Sequence, residues 1–183
     1  EVSKDEQGSS TQVDNVASVS NWEDYASAYN DNTIEEIHLE EDITADGSGV
    51  LKRRISSLIV KGNGKSIKNQ GFSFTLFPLD IESSEKPRTI SLDGVRVLHN
   101  SQPIIDTSDQ IGESNPVNPS EEAKWTVSFN NFYSEDETPQ YIVSGIGIDV
   151  VTVKGYFVGK SNEGVFKNAS DLLIEDATVE ANN

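Results

Sequence analysis

Cysteine and methionine are both absent from the 183-residue sequence. The lack of cysteine excludes disulfides, thiolate metal ligands and cysteine nucleophiles together. Basic residues are also scarce, because 14 Lys and Arg stand against 31 Asp and Glu and leave a formal net charge of −17. We expect no nucleic-acid partner, since such a surface repels a phosphate backbone and no basic stripe offsets this. No apolar run approaches the roughly 20 residues that cross a bilayer, so membrane insertion is not expected.

The apolar residues that are present favour β-structure. Val and Ile together outnumber Leu and Ala by 32 to 17, and β-branched side chains suit a pleated sheet better than a helix. Val, Ile, Leu and Phe make up about a quarter of the chain, which exceeds the roughly 20% below which a strongly charged chain stays disordered. The length and composition predict one mid-sized, mainly β domain.

The N-terminal part of the chain has a different character. Residues 1–19 are polar and acidic without a helical or strand period, so we expect a flexible acidic leader there. Ser20–Glu23 then has the spacing of a helix capping box. The apolar residues that follow it at helical spacing are Trp22, Ala26 and Tyr29. This pattern predicts a short amphipathic helix that ends at Asp31 and Asn32 and covers the strand-like segment after it.

From residue 33 onward one pattern recurs: alternating apolar residues, a two-residue polar or glycine turn, and alternation in the opposite phase. The last apolar residues before successive turns are Leu39, Val60, Leu92, Phe129, Val153 and Ile174, at intervals of 21, 32, 37, 24 and 21 residues. Loop-like sequence around 77–87 and 106–123 accounts for the two longer intervals. A repeat of somewhat over twenty residues predicts a single β-solenoid domain over residues 20–183.

The turn pairs bear on the kind of repeat. Asp93-Gly94, Asn130-Asn131 and Lys154-Gly155 tolerate left-handed backbone, so each can turn a corner of a coil while both flanking strands keep their apolar residues inside. The alternative is a meander of β-hairpins, because Asp-Gly between alternating apolar runs is also a hairpin signal. A meander needs a turn after every strand, whereas the tight pair occurs once per repeat, which favours the solenoid.

Three segments resemble the opening of a known family. They are Asn21–Tyr25 (NWEDY), Ile34–Ile43 (IEEIHLEEDI) and Ser57–Ile67 (SLIVKGNGKSI). In order and spacing they are similar to the start of the pectate-lyase-like adhesive domains of Gram-positive surface proteins, which have a Trp-bearing helix, an Ile/Leu strand and a strand resembling LTIDGNGHTI. These motifs cover about residues 20 to 70, and the remainder resembles the family by repeat pattern only. Lys61 departs from the family pattern, which usually has aspartate there.

The resemblance implies an all-β fold, a right-handed parallel β-helix with a short N-terminal capping α-helix. It also implies a non-enzymatic adhesion module, extracellular and either associated with the cell wall or secreted, that binds a glycan or protein on a host or bacterial surface. The sequence does not begin with Met, contains no wall-anchoring motif and ends directly after a repeat strand. We therefore expect a fragment of a longer surface protein, monomeric as an isolated domain.

Two other functions remain open. One is a secreted polysaccharide lyase or hydrolase for acidic glycans, which would need carboxylates around a cation and a basic residue near the substrate proton. Arg88, Asp93 and Arg96 on one repeat come nearest to such a cluster. Since an Asp near two Arg residues is expected by chance among 31 carboxylates, no catalytic residue is predicted. The other function is a structural stalk or spacer.

No metal or cofactor is predicted either. Asp42 and Asp46–Gly49 weakly resemble a calcium loop but lack its alternating ligands and terminal Glu, so an ordinary turn is the better interpretation. His38 and His99 have no neighbours at metal-ligand spacing.

Aromatic residues in the second half of the chain are the candidates for ligand binding. Loops inserted in a solenoid tend to collect on one face, where they act as binding elements on a rigid scaffold. Trp125, Tyr133 and Tyr141 lie near such loops and could stack on sugar rings. Each of them could equally belong to the core.

Overall fold

The computed structural model describes residues 15–68, 71–77, 88–98, 102–107, 124–135, 141–145, 147–160, 165–166 and 169–182. Strands predominate in these segments, and the one helix among them lies near the N-terminus. The elements are β1 (Val16–Val19), α1 (Trp22–Asn30), β2 (Glu36–Leu39), β3 (Ile43–Thr44), β4 (Leu58–Lys61), β5 (Ser66–Lys68), β6 (Phe74–Leu76), β7 (Thr89–Asp93), β8 (Arg96–Leu98), β9 (Ile105–Thr107), β10 (Trp125–Glu135), β11 (Val143–Ser144), β12 (Ile148–Lys160) and β13 (Asp171–Asn182).

The strands form three walls of a coil. Wall 1 contains β1, β2, β4, β7 and the first halves of β10, β12 and β13. Wall 2 contains β3, β5, β8 and the second halves of the same three long strands. Wall 3 contains β6, β9 and β11. Every pairing among the described strands is parallel, so the predicted parallel β-helix is confirmed and the hairpin alternative is wrong.

The tight pairs form the corners between walls 1 and 2. The second residue of each pair has a positive φ angle: 62° at Gly94, 49° at Asn131 and 68° at Gly155. Glu175-Asp176 forms the equivalent corner in β13, with a φ angle of 46° at Asp176. Left-handed backbone at these positions bends the chain without interrupting the hydrogen bonds between coils, since Gly94 N still donates to the Asn130 carbonyl at 2.8 Å. The corner interpretation of the sequence is therefore confirmed.

The register of the first coil differs from the one expected from the sequence. Ile37, and not Leu39, stacks on Val60. His38 pairs with Lys61, the last residue of β4, whereas β2 continues one residue further to Leu39. The apparent repeat, counted from Leu39, is therefore out of register with the stacking. The inward column on wall 1 runs through Ile37, Val60, Leu92, Phe129, Val153 and Ile174.

The expectation of a flexible leader is wrong for its last part. Val16–Val19 forms β1, which pairs in parallel with β2, and the side chain of Val19 is buried. A strand of four residues is too short to show a period in the sequence, and it is specified by its partner strand rather than by its own pattern. Residues 1–14 of the predicted leader lie outside the described residues.

The helix α1 covers the end of the coil at which the chain enters, as predicted. Its buried face carries Trp22, Tyr25 and Tyr29, and this face contacts Phe72 and Phe74 of the second coil. At the other end of the described chain, the inward residues of β13 remain about half exposed, because β12 is its only partner among the described strands.

The N-cap of α1 lies one residue later than the sequence indicated. The Asn21 side-chain oxygen accepts from the Asp24 backbone N–H at 2.9 Å, and its amide donates to the Asp24 carboxylate at 2.7 Å. The N-cap is therefore Asn21, whose side chain pairs with Asp24, and the prediction of a capping box of Ser20 with Glu23 is wrong. Asn is as good an N-cap as Ser, so sequence preference alone did not separate these two registers.

This correction makes a testable prediction. Asn21→Ala is expected to lower the free energy of unfolding by about 1 kcal/mol, because the Asp24 N–H loses its acceptor. Ser20→Ala, one residue earlier, is expected to change it by less than about 0.5 kcal/mol. Urea unfolding of the two variants followed by circular dichroism measures the difference. A larger loss in the Ser20 variant would contradict the N-cap assigned here.

Candidate functional site

The outer surface of wall 2 brings together two residues that lie far apart in the sequence. Arg96 on β8 and Tyr133 on β10 are register partners in adjacent coils. Their neighbours Val97 and Ser134 are buried, so the strand alternation turns Arg96 and Tyr133 outward. The Arg96 Cζ atom lies 5.0 Å from the centroid of the Tyr133 ring. This cation–π contact holds the guanidinium against the ring.

A carboxylate that interacts electrostatically with Arg96 is already engaged. Asp42 accepts hydrogen bonds from the backbone N–H of Ser66 at 2.7 Å and from its hydroxyl at 3.0 Å, and Ser66 is the register partner of Arg96 on the other side. These bonds, followed by the charges of Lys65 and Arg96, lower the pKa of Asp42, which therefore stays ionised. Within the described part of the chain, Arg96 forms no ion pair.

Two lysines on the outer surface are paired with carboxylates. Lys61 contacts Glu36 at 2.8 Å, and Lys154 contacts Glu175 at 3.0 Å. The hydrogen bond from Lys61, followed by one from His38, lowers the pKa of Glu36, and the bond to Glu36 raises the pKa of Lys61. These pairs join neighbouring coils, so their cations are engaged in the scaffold. Arg96 differs because its described contact is with an aromatic ring.

Two further side chains extend this surface. Lys68 lies two residues beyond Ser66 on β5, and Tyr156 lies two residues before Val158, which pairs with Tyr133. Both are exposed, and 44% of the Tyr156 surface is accessible. We call this surface the Arg96 patch, and its members are Ser66, Lys68, Arg96, Tyr133 and Tyr156. It offers a guanidinium, an ammonium group, hydroxyls and an exposed ring.

The three aromatic candidates from the sequence occupy different places. Trp125 is fully buried, and its indole N–H donates to the Phe77 carbonyl at 2.9 Å. The prediction that Trp125 binds ligand is corrected, because it points inward on the same strand alternation as Val127. Tyr133 and Tyr141 are half-buried, the first on wall 2 and the second just before β11 of wall 3. Ligand binding by these two tyrosines stays a prediction.

The cluster considered for a lyase does not form. Arg88 is buried inside the coil with its guanidinium 4.9 Å from the centroid of Trp125, whereas Arg96 faces outward on wall 2. Asp93 accepts a hydrogen bond from the Asn130 side chain at 3.0 Å. A sheet wall therefore lies between the two arginines. The sequence could not distinguish them, because each is an Arg beside a strand.

No group of three potential ligands that could hold a metal occurs among the residues that the structure describes. Asp46 accepts from the Ser48 backbone N–H at 2.9 Å, as in an ordinary turn. His38 contacts Glu36 on the same strand. His99 and most of the two predicted loops, at 78–87 and 108–123, lie outside the described residues.

Sequence reasoning missed the pairing of Arg96 with Tyr133, although a signal was present. Each occupies the second position after a corner residue, Gly94 in one coil and Asn131 in the next. Extending the repeat alignment past the turn would have placed them side by side. Sequence reasoning also missed a groove of about 280 Å³ between the start of α1 and wall 3. The groove is lined by uncharged residues that include Trp22 and Phe72.

The architecture defines a class of protein: a short parallel β-helix with a helix over the end at which the chain enters. Residues 16–141 match the family model of the pectate lyase-like adhesive domain, and the chain belongs to this family. The comparison with curated proteins and the comparison with solved structures give no match. Among the described residues, no helix is long and apolar enough to span a membrane.

Proposed function

We propose that this domain is a non-enzymatic adhesion module of a Gram-positive surface protein, located outside the cell and binding a ligand on a host or bacterial surface. The observation that carries the proposal is the match of residues 16–141 to a family of adhesive domains. Adhesion needs a rigid scaffold that presents side chains outward, and stacked parallel coils provide one. The net charge of −17 favours solubility and limits nonspecific contact with anionic surfaces.

The separation of Arg88 from Asp93 and Arg96 also supports a binding function over catalysis. A lyase would need its basic residue and its cation ligands to converge on one substrate atom. Here the two arginines of the considered cluster are divided between the interior, where Arg88 lies, and the outer surface, where Arg96 lies. Among the residues that the structure describes, Asp93 and Arg96 do not converge with Arg88 on one point.

Binding and turnover can be tested on one sample. The purified full chain is applied to a glycan array and to immobilised matrix proteins, and the same sample is incubated with acidic polysaccharides with and without calcium. We expect saturable binding and no unsaturated products. A heat-unfolded sample, which has the same net charge, is the control for nonspecific binding.

Two results would contradict the proposal. Calcium-dependent formation of unsaturated products would favour the lyase. A folded domain that binds no array or matrix component would favour a stalk or spacer.

A further inference from the structure

We propose that the Arg96 patch recognises a single carboxylate carried by the terminal sugar of an otherwise uncharged oligosaccharide. This inference deepens the proposed adhesion function and rests on it.

The first argument concerns the availability of the guanidinium. Arg96 is exposed, and in a chain with 31 carboxylates it forms no ion pair within the described segments. Asp42, which is close enough to interact with it electrostatically, already accepts two hydrogen bonds from Ser66. The Tyr133 ring holds the guanidinium in place, so less side-chain entropy is lost when a ligand binds. A guanidinium binds carboxylate oxygens in two parallel hydrogen bonds.

The second argument concerns the rest of the ligand. Arg96 covers one face of the Tyr133 ring. The aromatic ring available to stack on a sugar is therefore that of Tyr156, which is 44% exposed on the same outward surface. The Ser66 hydroxyl beside the guanidinium donates to Asp42 and can still accept a hydrogen bond from a sugar hydroxyl. An aromatic ring next to a few convergent polar groups is the usual composition of a small-ligand site.

The third argument limits the ligand to one negative charge. The patch is bordered by carboxylates: Glu41 and Asp42 lie beside its first strands, and Glu180 pairs with Val158 at its other end. Its own cations are Arg96 and Lys68, with Lys65 directed to Glu41 at 4.0 Å. A chain of acidic sugars would place its further carboxylates against a molecule of net charge −17. A neutral chain that ends in one acidic sugar avoids this repulsion.

The test titrates the full chain with 3′-sialyllactose, with lactose and with a polymer of the same acidic sugar, by isothermal calorimetry at about 0.15 M salt. We expect saturable binding of the acidic trisaccharide. Lactose should bind at least about tenfold more weakly, because hydrogen bonds to a charged group contribute that much. The polymer should bind no more tightly per acidic sugar than the trisaccharide.

Matched variants locate the site. Arg96→Ala should weaken trisaccharide binding at least about tenfold, and Arg96→Lys should recover part of the loss, because it restores the charge without the planar fork. Arg53→Ala removes the same charge from an exposed position next to Arg54, which bridges Leu76 of wall 3, and should leave the affinity unchanged. Unfolding curves verify that all three variants remain folded.

Several outcomes would overturn the inference. These are no binding of the trisaccharide, equal affinity for lactose, preference for the polymer, or an Arg96→Ala variant that binds like the unchanged chain. If the domain binds other array ligands in any of these cases, the proposed adhesion function is retained and only the assignment of the Arg96 patch is rejected. If it binds no ligand at all, the proposed function falls as well.

Discussion

Arg54→Ala is expected to lower the free energy of unfolding by about 3–5 kcal/mol, or to prevent folding. Arg54 is only 1% exposed, and its guanidinium lies under the C-terminal end of α1. It donates to the Tyr29 carbonyl at 2.6 Å and to the Asp31 carbonyl at 3.2 Å, and it also donates to the Ile34 carbonyl. Removing it takes this donor away from the Tyr29 and Ile34 carbonyls in a partly closed space, while the Asp31 carbonyl keeps its bond from the Ile34 N–H at 3.1 Å.

The position of Arg54 explains why the effect should be large. The last turn of α1 contains no basic residue. Arg54 lies outside the helix in the sequence and supplies the positive charge that a helix C-terminus favours. Two further bonds, to the carbonyls of Ser56 and Ser57, connect the guanidinium to the chain that enters wall 1. Burial lowers the pKa of Arg54, but the side chain of an arginine in a protein remains protonated. One side chain thus joins the capping helix to the first coils.

The adjacent residue is a matched control for this prediction. Arg53 is exposed, and Arg53→Ala removes the same charge with an expected change below about 0.5 kcal/mol. Arg54→Lys keeps the charge but cannot reach several carbonyls in one plane, so it should recover only part of the loss. Urea unfolding of the three variants measures the order. Similar stabilities of the Arg53→Ala and Arg54→Ala variants would show that the buried hydrogen bonds of Arg54 contribute little to the free energy of unfolding.

The second large effect is expected at a corner. Gly62→Ala should destabilise the domain by about 3 kcal/mol or more. The added methyl group would press against backbone atoms of the next coil, and backbone cannot move aside as the end of a flexible side chain can. A Cβ atom at Gly62 would lie 2.1 Å from the Gly94 carbonyl oxygen and 2.7 Å from the Val95 Cα. The Gly62 N–H also donates to the Asp93 carbonyl at 2.7 Å, so the two coils are held close at this point.

Gly64→Ala, two residues later, separates the steric effect from backbone strain. Gly64 has a φ angle of +79°, but a Cβ atom there meets nothing within 4 Å. Its expected cost is about 1 kcal/mol, from the left-handed backbone alone. The comparison is made by chemical denaturation with a folded-state spectrum for each variant. Equal costs at both positions would mean that the coils separate easily at this corner, against the packing described here.

Local features of the sequence were sufficient for much of the fold. The alternation of apolar residues predicted strands, the run from Trp22 to Tyr29 predicted the helix, and pairs such as Asp93-Gly94 predicted the corners. These features depend on neighbours within a few residues, and their physical causes are side-chain direction and backbone freedom. The family resemblance, based on motifs in the first 70 residues, is confirmed by the match over 16–141.

The candidate site was less accessible from the sequence. Tyr133 was identified as a candidate, but its contact with Arg96 depends on the register between β8 and β10. Trp125 was identified for the same chemical reason and is a core residue. The two cases differ only in the side of the wall to which each side chain points, and a shift of one residue reverses that side.

By itself, the sequence determined that this protein is an acidic, disulfide-free, mainly β repeat with a helix at its entrance, because composition, period and turn chemistry are local properties. Only the tertiary structure decided that Ile37 stacks on Val60, that Val16–Val19 joins wall 1, and that Arg54 lies inside while Arg96 lies outside. These outcomes depend on pairing between coils 20 to 40 residues apart, where the burial of a whole face outweighs the preference of any single residue.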